Sequence, residues 1–121
     1  MFVPRRLAAK HCLPLIADEV YAGMCWGAKP FVPIADVSAK LGWIAPVISC
    51  SGLAKQFLVP GWRVGWLVFY GEQIKPIKAG VQALANVVLG ATNIIQSAIP
   101  KILAPEDKAV AEEIKQVRRA K

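Results

Sequence analysis

Residues 47–70, VISCSGLAKQFLVPGWRVGWLVFY, decide how this chain folds. VISC is a short apolar run of the kind that a buried strand shows, and it leads into the small residues Ser51 and Gly52. GWRVGWLVFY, residues 61–70, is a second strand candidate, entered from the loop KQFLVPG. If this strand runs back antiparallel to the first, the excursion between Lys55 and Arg63 returns the arginine to the lysine's end of the sheet. Two cations that close require an anion between them, or one of them must be neutral.

Upstream, LPLIADEVY, residues 13–21, reads as a buried parallel strand with Asp18, Glu19 and Tyr21 emerging at its carboxyl end. A helix is expected at 4–12 and a short one at 34–41, inside a Gly- and Pro-bearing connection. Beyond residue 72 the pattern turns helical, at 73–86, 91–103 and 105–119, with Pro100 expected to kink or end the second of these. The last carries acidic residues in its first turn and basic residues in its last, the order that the helix dipole favours. Strands with helices before, between and after them give an α/β class, a mostly parallel sheet with one antiparallel strand. Three strands are few, so the sheet is expected to be incomplete.

Composition points the same way. In 121 residues, 55% are hydrophobic and the mean hydropathy is +0.43, more apolar surface than one small domain can bury alone. The net charge is +7, but the basic residues are scattered rather than interleaved with aromatics, which argues against a nucleic-acid groove. Residues 79–100 carry no charge, yet Gln82, Asn86, Thr92, Asn93, Gln96 and Ser97 mark them as helices buried in protein rather than lipid. Cys12, Cys25 and Cys50 are odd in number and widely spaced, and His11 is the sole histidine, so neither a disulfide framework nor a metal site is indicated. A reduced, cytoplasmic setting fits these cysteines and the lack of an apolar leader after MFVPRR.

In open α/β sheets ligands bind beyond the carboxyl ends of the strands, where this reading puts Asp18, Tyr21, Ser51 and Lys55. Bulk chemistry suggests a ligand for them. A buried lysine beside another cation becomes a usable amine nucleophile, Arg63 suits a phosphate, Asp18 a protonated ring nitrogen and Tyr21 a phenolate oxygen. Pyridoxal 5'-phosphate carries all four partners. Read singly, Lys55 would be a loop lysine, Arg63 half of a surface ion pair, and Trp62 with Trp66 one core face of a strand.

At these residues the chain resembles a known family. SGLAKQFLVPGWRVGW, residues 51–66, is similar to the lysine signature of class I/II aminotransferases, with Arg-x-Gly eight positions after the lysine, and ADEVYAGM resembles their Asp-x-x-Tyr segment. GLAKQFLVPGWRVGW and LGATNIIQSAIPKIL look most like the tyrosine aminotransferase branch. The resemblance implies part of the large domain of a pyridoxal-phosphate-dependent transferase fold over residues 1–121, without the amino-terminal part and the carboxyl-terminal small domain. It also implies transamination of an aromatic amino acid with a 2-oxo acid, in a full-length homodimer. Lys55 would be the Schiff-base lysine, Asp18 the partner of the ring nitrogen, Tyr21 the donor to the ring oxygen and Arg63 a phosphate ligand. Where many relatives have serines, this chain has Gly52 and Ala54, leaving Ser51 or Ser49 to supply a phosphate hydroxyl. The competing expectation is a truncated module that keeps the cofactor residues without turnover.

Overall fold

The computed structural model describes residues 3–25, 29–40 and 45–104. The helix expected at 105–119 lies outside them. In chain order the elements are α1 (Val3–Lys10), β1 (Leu15–Asp18), α2 (Ile34–Lys40), β2 (Val47–Gly52), α3 (Leu53–Gln56), β3 (Gly65–Tyr70), α4 (Lys75–Val87) and α5 (Asn93–Ile102). One sheet of order β1-β2-β3 forms, β1 parallel to β2 and β3 antiparallel to it. The α/β class and the returning third strand follow the sequence reading.

The central strand carries the core. Val47, Ile48 and Ser49 are all buried, and Leu53, at the start of α3, is fully enclosed beside them. Ala8 of α1, Ala45, Val64 and Ile74 complete the buried apolar set among the described residues. Strand β2 runs without a loop into α3, and the reason is steric. Gly52 pairs with Gly65, and a Cβ on Gly52 would lie 2.8 Å from the Val64 carbonyl oxygen and 3.0 Å from the Gly65 Cα. These are backbone atoms that cannot swing away, so the ladder can close this tightly only at glycine.

Boundaries differ from the sequence reading where local backbone geometry intervenes. α1 stops at Lys10 because Cys12 adopts a left-handed conformation (φ 51°). The Leu13 amide then bonds back to the Ala8 carbonyl at 2.9 Å and the Cys12 amide to that of Ala9, a Schellman closure. β3 starts at Gly65, not Gly61, because Pro60–Trp62 form a 3-10 turn and Arg63 is left-handed. Trp62 and Trp66 therefore do not share a strand. Pro100 sits inside α5, which continues to Ile102 with the Leu103 amide bonded to Ile99, so the proline costs the Gln96 carbonyl its donor without ending the helix.

Both outer strands and the two long helices present apolar side chains to solvent. Ile16 on β1 is 73% exposed, Leu89 and Ile94 between and within the last helices are 89% and 81% exposed, and no residue of α4 or α5 is buried. A cleft of about 480 Å³ separates the start of β3 from α5, lined by Val64, Trp66, Gln96 and Ile99 among others. No helix among the described residues is long and apolar enough to cross a membrane.

Two outcomes follow from this packing. The chain alone is expected to self-associate with rising concentration in sedimentation velocity, since this many exposed large apolar side chains need covering; a compact monomer at high concentration contradicts that. Gly52→Ala is expected to destabilise by about 1–3 kcal/mol, the usual cost of overpacking, read as a lower urea midpoint with an unchanged slope.

Candidate active site

The site grows from the carboxyl ends of β1 and β2. Asp18 pairs with Cys50, so β1 ends two residues short of Gly52, and the ladder is extended by the Glu19 amide bonding to the Cys50 carbonyl at 2.9 Å. The chain then reverses in a turn closed by the Ala22 amide on the Glu19 carbonyl at 2.9 Å. Tyr21, with φ −98° and ψ 7°, occupies the third position of this type I turn. The Asp18 carboxylate accepts the Val20 amide inside the same turn at 3.3 Å.

The following 3-10 turn, Ala22–Met24, packs on α3. Gly23 meets the Gln56 side chain there, and a Cβ at residue 23 would come within 2.8 Å of its Cγ and Cδ. This seating brings Tyr21 to Lys55, whose Nζ stands 5.5 Å from the centre of the Tyr21 ring, within the range of a cation–π contact. A cavity of about 240 Å³ lined by Met24, Ala54, Lys55, Leu58 and Pro60 opens beside the lysine.

Arg63 reaches the same end of the sheet by the antiparallel return. It lies two residues before Gly65, which pairs with Gly52, while Lys55 lies three residues after Gly52. The Arg63 Nη1 donates to the Pro60 carbonyl at 3.0 Å, which closes the loop on itself and leaves the remaining guanidinium donors exposed. The loop holds two non-glycine residues in the left-handed region, Leu58 (φ 57°) and Arg63 (φ 52°). Such strain persists where the surroundings impose it, and it clusters at ligand sites.

Two features differ from the sequence reading. Lys55 is exposed, so its reactivity cannot be argued from burial in this chain; Tyr21 is 57% exposed and Asp18 is exposed as well. The serines also separate. Ser49 is 6% exposed and its hydroxyl donates to a Glu19 carboxylate oxygen at 2.5 Å, so its proton is committed away from any phosphate. Ser51 is half-buried, pairs with Trp66 and falls on the sheet face opposite Asp18 by strand alternation. The role of Glu19 was not legible in the sequence, because nothing in the string shows that Ser49 and the Ile34 amide converge on its carboxylate.

The family model for aminotransferase class I and II matches residues 5–121. The chain belongs to this aminotransferase family. Tyrosine aminotransferase of Dictyostelium discoideum is 38% identical over 111 residues, 88% of this chain and 26% of that protein. Tyrosine aminotransferase of Caenorhabditis elegans is 38% identical over 104 residues, 83% of this chain and 22% of that protein. Among solved structures, an alanine aminotransferase from Pyrococcus furiosus superposes with a TM-score of 0.74 at 24% identity, covering 95% of this chain and 28% of that one. The last match establishes a shared fold. This aminotransferase chain thus spans about a quarter of the length of the relatives it matches.

The left-handed Arg63 separates stability from binding. Glycine adopts φ 52° without a Cβ penalty, so Arg63→Gly is expected to unfold at the same urea concentration as the parent or a higher one. A guanidinium that served fold stability would instead show a clear loss in that titration.

Proposed function

We propose that this chain forms the cofactor-holding part of the large domain of a longer, pyridoxal-phosphate-dependent aminotransferase, one that moves the amino group of an aromatic amino acid to a 2-oxo acid. The carrying observation is the Lys55 amine set 5.5 Å from the Tyr21 ring, at the strand ends where the family's lysine and tyrosine motifs meet. The donor set fits the cofactor by its chemistry: an exposed primary amine for the aldehyde, the Tyr21 hydroxyl for the ring oxygen, the Asp18 carboxylate for the ring nitrogen and the Arg63 guanidinium for the phosphate. With Ser49 committed to Glu19 and Ser51 on the sheet face opposite Asp18, the phosphate is left to the Arg63 guanidinium. The 240 Å³ cavity is smaller than the roughly 300–1,000 Å³ of ordinary ligand sites, in keeping with walls supplied by further chain.

When bound, the cofactor supplies the electron sink that lets a Cα proton leave an amino acid. This chain's residues do the rest of their share by position. Lys55 would supply the amine for the cofactor's aldehyde and, as a free amine, the base that carries the Cα proton. Asp18, exposed at the end of β1, would face the ring nitrogen and hold its proton. Tyr21 donates to the ring oxygen, and Arg63 grips the phosphate through the donors that Pro60 does not use.

The aromatic substrate is supported by the two tyrosine aminotransferase relatives. A homodimer accords with the exposed apolar faces of β1, α4 and α5, and a cytoplasmic setting with three free cysteines. The second reading, a cofactor-binding module without turnover, is favoured by the open exposure of Lys55.

Borohydride reduction after incubation with pyridoxal 5'-phosphate tests the assignment. Peptide mapping is expected to find the label concentrated on Lys55, and Lys55→Ala or Asp18→Ala to abolish or weaken it; label spread evenly over the other exposed lysines refutes it. Tyrosine-dependent transamination by the 121-residue chain alone is expected to be undetectable, because substrate positioning of the kind worth about 7–11 kcal/mol requires groups that orient the substrate. Turnover should appear when the chain is expressed within a full-length frame. Turnover by the isolated chain would contradict this division of labour, and a silent full-length frame would leave the module reading.

A further inference from the structure

We propose that Glu19 is the positioning residue of this site, holding the Asp18–Tyr21 turn in the place that sets Tyr21 against Lys55; the inference rests on the cofactor reading above. Every polar group of Glu19 is engaged. Its amide donates to the Cys50 carbonyl, its carbonyl accepts the Ala22 amide, and its carboxylate accepts the Ile34 amide at 2.8 Å and the Ser49 hydroxyl at 2.5 Å. One side chain thereby joins three elements: the turn after β1, the first residue of α2 and the buried middle of β2. Both carboxylate oxygens accept from donors on ordered elements, the amide that opens α2 and the hydroxyl of Ser49, a residue only 6% exposed. Charge-assisted bonds of this kind are the stronger ones.

The consequence is geometric. Asp18 ends β1 one residue before Glu19, and Tyr21 lies two residues after it in the turn that closes on the Glu19 carbonyl. β1 is only four residues long and lies at the sheet edge, so its ladder alone fixes the turn weakly. The Glu19 carboxylate ties that turn to the buried strand β2, which leads directly into α3 and Lys55. Its neighbour Asp18, at the end of β1, faces the opposite way by strand alternation.

The test uses the full chain with Glu19→Ala, Glu19→Gln and Ser49→Ala, each checked for native secondary structure by circular dichroism. Without cofactor, amide hydrogen exchange read by mass spectrometry should speed up by about tenfold or more in peptides covering 20–24 and 34–37 for Glu19→Ala, with 66–70 unchanged. Glu19→Gln should restore most of the protection, since its amide oxygen can face Ile34 and its NH₂ the rotatable Ser49 hydroxyl. With pyridoxal 5'-phosphate as probe, borohydride-trapped Lys55 label should fall by about tenfold in Glu19→Ala, and that loss should shrink sharply in a Tyr21→Ala background, because the two act through one contact. Unchanged exchange at 20–24, or an equal loss of label with and without Tyr21, overturns the proposal. If the parent chain shows no preferential label at Lys55, the cofactor reading falls and the exchange data alone decide whether Glu19 holds the turn. If Glu19→Ala fails to fold, Ser49→Ala, which removes one anchor and keeps the Glu19 carboxylate on the Ile34 amide, decides by the same exchange criterion.

Discussion

The close approach of Gly52 to Gly65 is the constraint on which the remaining architecture depends. Without side chains at that rung, the backbones of β2 and β3 meet where a Cβ would strike the Val64 carbonyl, and the Leu53 amide can bond that same carbonyl at 3.2 Å. The strand is thus converted into a helix within one residue, and Leu53 is driven into the core as the anchor of α3. Lys55 then stands a fixed two residues from a fully buried side chain. Had the ladder closed one rung later, or with a side chain there, α3 would start elsewhere and the lysine would no longer meet the Tyr21 turn.

The opposite side of that site is held by a different kind of force. Apolar burial fixes Lys55, through Leu53, whereas the Asp18–Tyr21 segment is held by hydrogen bonds from the end of a short edge strand. Burial is insensitive to direction, and hydrogen bonds are not. The division suits a site in which one group must be brought near and its partners must be aimed. It also explains how an exposed cluster keeps a defined geometry: its members face solvent, but the residues beside them in sequence, Leu53 and Glu19, are tied inward.

Much of this was legible in the sequence, and the illegible remainder has a physical cause. The three strands, the antiparallel return and the grouping of Asp18, Tyr21, Lys55 and Arg63 at one sheet end follow from apolar runs, small residues and loop length, all of which are local patterns. The errors sit where local geometry overrides composition. Cys12 and Arg63 take left-handed conformations that their residue types do not announce, which shortens α1 and delays β3. The Glu19–Ser49–Ile34 junction unites residues fifteen and thirty positions apart, and no periodicity encodes such a meeting. The sequence reading makes Lys55 a buried lysine, yet of its apolar neighbours only Leu53 is buried, Phe57 and Leu58 are half-buried, and Lys55 itself is exposed.

That exposure bears on how family membership and present geometry fit together. The apolar surfaces of α4, α5 and β1 are arranged as faces without opposite faces, and the lysine lies on the same incompletely covered body. Covering such faces would remove water from around the sheet and weaken the solvent screening of the charges it carries. Desolvation would then act on charges already placed by Leu53, Glu19 and the β3 return. On this view the chain supplies placement and the covering surfaces supply the dielectric.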